Sequence, residues 1–277
     1  MSVVAILQGT EKEDRQSTLT AVELARRLNT PVTGLFALPD PNAVLMVSAT
    51  PEAAGLTAST AQSIIDMQLA MKQTAETAFH DVTSMGAHGL DCDFFHEVNT
   101  VERASANAAT LAQAVVFPRS AAKNGTPLYL AFEHVMMDAR LPVVLAGSDA
   151  FIAGPVIIAW DGSNGAARAV RFHLPLIRAL GDVIIAQAPK DLERDAARPA
   201  AEPGTLESWL KRHGVTAKTA EIDGDVGSGL LALAKGSGAS MIVAGAYGHS
   251  RLGERLFGGT TRRMLESAHA PVLALAR

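Results

Sequence analysis

The feature that most constrains this chain is a plan of short apolar runs that is written twice. Ser2 to Leu7, Val32 to Leu38, Cys92 to Val98, Ala114 to Phe117 and Pro142 to Ala146 read as five strands. Pro155 to Trp160, Asp182 to Ala188, Thr216 to Ile222, Met241 to Ala244 and Val272 to Ala276 read as five more. Most of these runs lack polar alternation, the habit of strands buried on both faces of a helix-covered parallel sheet. Helical spacing fills the intervals. It runs through Val22, Leu24, Ala25 and Leu28 in 19–28, and through Val170, Leu174, Ile177 and Leu180 in 166–180. A longer stripe takes in Ile64, Met67, Met71, Ala75, Ala78, Val82 and Met85, and reads as core or as a dimer seam. SVVAILQGT sits opposite VIIAWDGSN, and ARLPVVLAG opposite AHAPVLALA. The expected fold class is α/β: two tandem, doubly wound, five-stranded parallel-sheet (Rossmann-like) domains. A chain of 277 residues suits two domains, and they are expected over 1–147 and 154–277, with a short linker between.

Composition narrows the function classes. The net charge is −4, against wholesale nucleic-acid binding. No apolar run is long enough to span a membrane, and MSVVAILQGTEKEDR lacks the basic start and long apolar core of a signal peptide. Cys92 is the only cysteine, so neither an internal disulfide nor a cysteine zinc site is available. A cytoplasmic protein without membrane contact is expected.

The chemistry concentrates between Met241 and Arg277. A buried run is followed by Gly245, Gly248, Gly253, Gly258 and Gly259, then by helical spacing from about Thr260. Glycines admit an anion close to backbone N–H groups, and a helix start points its own free N–H groups at the same place. Arg251, Arg255, Arg262 and Arg263 crowd this stretch against Glu254. Basic residues at a helix start oppose the helix dipole, which suggests a bound anion; a solvated arginine face is the plain alternative. There is no GxxxxGK[ST] and no GxGxxG, and Gly248 to Gly253 spaces its glycines one residue too far for a nucleophile elbow.

The loop resembles that of the universal stress protein family: Gly, two residues, Gly, nine residues, Gly, then Gly, Ser or Thr. Gly245, Gly248 and Gly258 keep these intervals, and GAYGHSRLGERLFGG is similar to the version in tandem bacterial members. Nucleotide-binding members usually carry Ser or Thr where this chain has Gly259, with Thr260 and Thr261 beyond it. The resemblance implies an adenine nucleotide such as ATP, to which Mg²⁺ could be bound. Asp161 would serve the base or ribose, and Ala188 would touch the base through its backbone. Gly245, Gly248, Gly258, Gly259 and Thr260 would line the phosphate path. It also implies that the two domains pack as a pseudo-dimer through Pro142–Ala146 and Pro271–Ala276. From the residues alone Asp161 stays open between ligand and turn, because Asp-Gly-Ser also suits a turn that caps the next helix.

The first half lacks these parts. Gln8 replaces the aspartate, and Pro118 to Gly125 holds one glycine where three are needed; prolines offer no N–H. The leading expectation is a stress-response regulatory protein binding ATP in its C-terminal domain and acting on an unknown protein partner, as an internal pseudo-dimer or a homodimer. A nucleotide-independent interaction module is the alternative, and a slow ATP hydrolase the weaker one. No nucleophile, general base or metal-carboxylate cluster accompanies the loop, and no catalytic or metal residue is assigned.

Overall fold

The structure, a computed structural model, describes residues 2–40, 58–148, 151–152, 154–189, 201–246, 259–267 and 270–277. Much of the 39–59 segment (41–57), with Gly248, Gly258, Arg251 and Arg255, lies outside the described residues.

In the first half, β1 (Val3–Leu7), α1 (Glu11–Leu28), β2 (Val32–Leu38), α2 (Ala58–Gly86) and β3 (Cys92–Val98) follow in order. Then come α3 (Val101–Ala109), β4 (Ala114–Phe117), a 3₁₀ turn (Arg119–Ala122), α4 (Tyr129–Glu133), a π turn (His134–Asp138) and β5 (Val143–Leu145). The second half runs β6 (Val156–Ala159), α5 (Asn164–Phe172), α6 (Leu174–Leu180), β7 (Asp182–Gln187) and α7 (Pro203–Arg212). It closes with β8 (Thr216–Glu221), α8 (Val226–Ser237), β9 (Met241–Gly245), α9 (Gly259–Glu266) and β10 (Val272–Ala276).

All ten strands form one sheet, in the order β3-β2-β1-β4-β5-β10-β9-β6-β7-β8. Each half has the same internal order and parallel pairing. Only the seam is antiparallel, with Leu273 opposite Leu145 and Leu275 opposite Val143. The last strands therefore join the halves, as the family resemblance implies. Alternate residues feed two cores, one on each face. Val144 and Ala274 lie in one, Val143, Leu145, Leu273 and Leu275 in the other, so each core crosses the seam.

Three elements depart from the sequence reading for physical reasons. α1 starts at Glu11 rather than Leu19, because its first turns bury Asp14, Ser17 and Thr18, which carry no apolar period. The helix expected over 166–180 breaks at His173, since Pro175 has no N–H to continue the ladder. His173 is buried and its Nε2–H donates to the Leu275 carbonyl at 3.1 Å; burial lowers its pKa to about 4. The α2 stripe is core only in its middle. Ala75, Ala78 and Val82 are buried, whereas Met67 and Met85 are 56% and 66% exposed.

α1 also holds the linker to the first half. Gln16 Nε2 donates to the Gly147 and Ser148 carbonyls, and Arg27 donates to the Ile152 carbonyl at 2.7 Å.

Candidate functional site

In a doubly wound sheet the ligand cleft opens at the carboxyl ends of the strands, where the strand order reverses. In the second half that point lies between β6 and β9, which are paired side by side with β7 beyond β6. Asp161 follows β6, Gly245 ends β9 and Ala188 follows β7, so the topology brings these three to one edge. Gly259 and Thr260 open α9.

The turn after β6 is built from its own polar atoms. Gly162 takes a left-handed φ of +69°, which a side chain would strain. Asp161 accepts the Ser163 N–H at 2.9 Å, and Ser163 rather than Asp161 caps α5, accepting the Ala166 N–H at 3.2 Å. Asp161 is half-buried. Gly245 is required by packing as well as by any ligand. A Cβ there would lie 2.8 Å from the Ala166 nitrogen and from the Gly165 carbonyl carbon. Gly259 is exposed, and a Cβ on it would meet no described residue within 4 Å. Ala188 is buried, at 2% exposure.

Where they are described, the arginines meet the chain's own polar groups. Arg263 reaches Asp225 at 3.3 Å and Ser228 at 3.0 Å, and Arg262 pairs with Glu266 at 2.7 Å along α9.

The first-half cleft is arranged otherwise. Val3 pairs with Ala114 as Val156 pairs with Met241, which fixes an equivalence between the halves. By that count Gln8 stands for Asp161, Gly9 for Gly162, Glu13 for Ala166, Asp14 for Ala167 and Pro118 for Gly245. Gly9 is left-handed too, at φ +81°. Here, however, three successive N–H groups form a nest around the chain's own carboxylate. Asp14 accepts from Gln8 N at 2.8 Å, Gly9 N at 2.8 Å and Thr10 N at 2.9 Å. Burial outweighs those bonds and raises the Asp14 pKa to about 6, with nearby Glu13 adding to the rise. The Glu13 carboxylate accepts from Gln8 Nε2 and from Ser120 Oγ, tying the turn after β1 to the turn after β4. Met71 of α2 covers the outside: a Cβ on Gly9 would lie 2.6 Å from the Met71 Cβ.

Sequence reasoning reached the missing aspartate and the prolines but missed Glu13 and Asp14. Setting EKED (11–14) beside NGAA (164–167) shows the signal: two carboxylates stand where the other half has two methyl groups.

A separate concavity of about 550 Å³ opens at the other edge of the sheet, lined by Leu231, Lys235, Ser240, Ser267 and Pro271. It lies at the amino ends of β9 and β10, away from the cleft. Among the described residues no group of three His, Cys, Asp or Glu is placed to hold a metal, and no helix is long and apolar enough to cross a membrane.

Fold and cleft together define a doubly wound α/β protein with its candidate site at the switch of strand order in the second half. That half carries the family. Residues 154–276 match the Universal stress protein family. The match supports a stress-response role. Among solved structures, the chain is similar to a universal stress protein from Archaeoglobus fulgidus DSM 4304. The identity is 15% and the TM-score 0.59, covering 100% of this chain and 98% of that one. At that identity the likeness is one of fold. A functionally unknown protein from Pseudomonas aeruginosa PAO1 aligns over 99% of this chain and 92% of its own, at 12% identity and a TM-score of 0.46. The comparison with curated proteins found no match.

Proposed function

We propose that the second half binds an adenine nucleotide, ATP in the first instance, and that the protein is a nucleotide-responsive regulatory module of the stress response. The observation that carries this reading is the contrast at equivalent positions. Glu13 and Asp14 fill the first cleft with negative charge, while Ala166 and Ala167 put no charge in the second. An anionic ligand is repelled by the one and admitted by the other. Asp161, already ordered by its bond to the Ser163 N–H, presents its carboxylate at the strand end for a ribose hydroxyl or the adenine amine. Gly245, Gly259 and Thr260 bound the phosphate side, with Gly248 and Gly258 between them in the sequence. Ala188 offers its backbone beside the base. Mg²⁺ is carried in on the phosphates, and the response is passed to a protein partner in the cytoplasm. The two domains are 1–147 and 154–277.

The test is calorimetric titration of ATP with Mg²⁺ into the wild type and Asp161→Ala. Loss of binding in a variant that keeps its far-ultraviolet spectrum and unfolding midpoint supports the site; unchanged affinity sinks it. A second reading, an interaction module that binds no nucleotide, is favoured by Gly259. Among the described residues nothing packs against that position to demand a glycine, yet it carries no hydroxyl for a phosphate. Absence of heat with ATP, ADP and AMP would favour it.

A further inference from the structure

The turn after β4 has lost its glycines, but its first residue does something the sequence did not announce. Arg119 lies half-buried at the seam and donates to four backbone carbonyls. One is Ala146, in its own half, at 3.2 Å. The other three belong to the second half: Met264 at 3.1 Å, Leu265 at 3.4 Å and Pro271 at 2.6 Å. Met264 and Leu265 are in the last turn of α9, where helix carbonyls have no partner within the helix. Pro271 stands at the entry to β10. One guanidinium therefore fixes both the end of α9 and the chain that leaves it.

We infer that Arg119 is a positioning residue of the second half's nucleotide site, supplied by the first half. Met264 and Leu265 lie within six residues of Gly259, so less than about 10 Å of helix separates the residues that Arg119 grips from Gly259 and Thr260. A cation at a helix C-terminus reinforces the dipole whose positive end faces the phosphates, and it restrains the rotation of a short helix that could otherwise fray. The next residue, Ser120, is bonded to Glu13 inside the first cleft. The closed cleft thus anchors the turn that holds the open one's phosphate helix. Burial lowers the Arg119 pKa to about 10, which leaves it charged at neutral pH. A second arginine contact between the halves is weaker: Arg277, at the end of β10, reaches the Met137 carbonyl at 3.4 Å on an exposed surface.

This inference rests on the nucleotide reading and is tested by a ratio that the reading does not fix. Affinities for ATP and for adenosine are measured in the wild type, Arg119→Met, Arg119→Lys and, as a control for loss of an arginine at the seam, Arg277→Met. Arg119→Met should weaken ATP about tenfold, the ordinary size of a coupling between two sites, and adenosine by less than about twofold. Arg119→Lys keeps the charge but cannot span three carbonyls across the seam, so it should fall between; it carries the comparison if the methionine variant does not fold. Arg277→Met should match the wild type. Equal loss for ATP and adenosine would reduce Arg119 to a general stabiliser and overturn the inference, as would unchanged ATP affinity. A wild type that binds neither ligand removes the nucleotide reading itself and this inference with it.

Discussion

The two ends of the switch in strand order, one in each half, start from the same backbone. In both, a strand leads through a left-handed glycine, Gly9 or Gly162, into a helix that begins two residues later, at Glu11 or Asn164. They end as opposites. The first closes on itself, with Asp14 in the nest, Glu13 bridging Gln8 to Ser120, and Met71 over the turn. The second keeps alanines at the two acid positions and brings β9 against the start of α5 through Gly245. The same frame can therefore be closed by its own side chains and still be used: here the closed cleft holds Ser120, and beside it Arg119 ties the halves together.

The largest expected effect comes from breaking the close approach in the second half. Gly245→Val puts a Cβ 2.8 Å from the Ala166 nitrogen, against backbone that cannot turn aside. Overpacking of this kind should cost about 3 kcal/mol or more, read from the denaturant midpoint. A variant with wild-type stability would show that β9 and α5 are not held as described. For that reason Gly245→Val is a packing probe rather than a clean probe of ligand binding.

Acid should act through two buried groups of opposite sign. The folded-state pKa of Asp14 is raised from 3.8 to about 6, so its contribution is fully present below 3.8 and is lost as pH rises through 6. The folded-state pKa of His173 is lowered from 6.5 to about 4, so its contribution is present above 6.5 and is lost as pH falls through 4. Each shift of about two pKa units corresponds to about 3 kcal/mol, and between pH 6.5 and 4 the two offset one another. Asp14→Asn should leave the His173 loss uncovered, with stability falling more steeply from pH 7 to 4.5 than in the wild type. His173→Gln should reverse that slope. Parallel profiles in all three proteins would contradict both assignments.

The smallest effect sharpens the comparison at the phosphate end. Gly259→Ser meets no neighbour among the described residues, so stability should change by less than about 0.5 kcal/mol, as for an ordinary surface position. If the hydroxyl faces a phosphate, ATP affinity should rise about fivefold, the worth of one hydrogen bond to a charged group. No change would place residue 259 away from the phosphates.

The frame was legible because the apolar runs are bounded by Pro, Gly and Asn. β2, β3, β4 and β10 fall where their residues predict. The start of α1 was not legible, because its buried residues there are Asp14, Ser17 and Thr18, and buried polar groups leave no hydrophobic period. The split of α5 from α6 was hidden by a continuous apolar stripe running through Pro175. The plug was hidden by distance and by custom. Glu11, Glu13 and Asp14 look like ordinary acids in the first turn of a helix, and Ser120, which receives Glu13, is 107 residues away. Arg119 is hidden in the same way, its second-half partners being carbonyls that every sequence possesses.

On the proposed reading, one half receives nucleotide while the other is closed by its own acids. The stoichiometry of ATP with Mg²⁺ on the wild type and on Glu13→Ala tests this directly. A single nucleotide per chain is expected in both, because Pro118 still offers no N–H when Glu13 is gone. Two nucleotides on the wild type, or none, would contradict it.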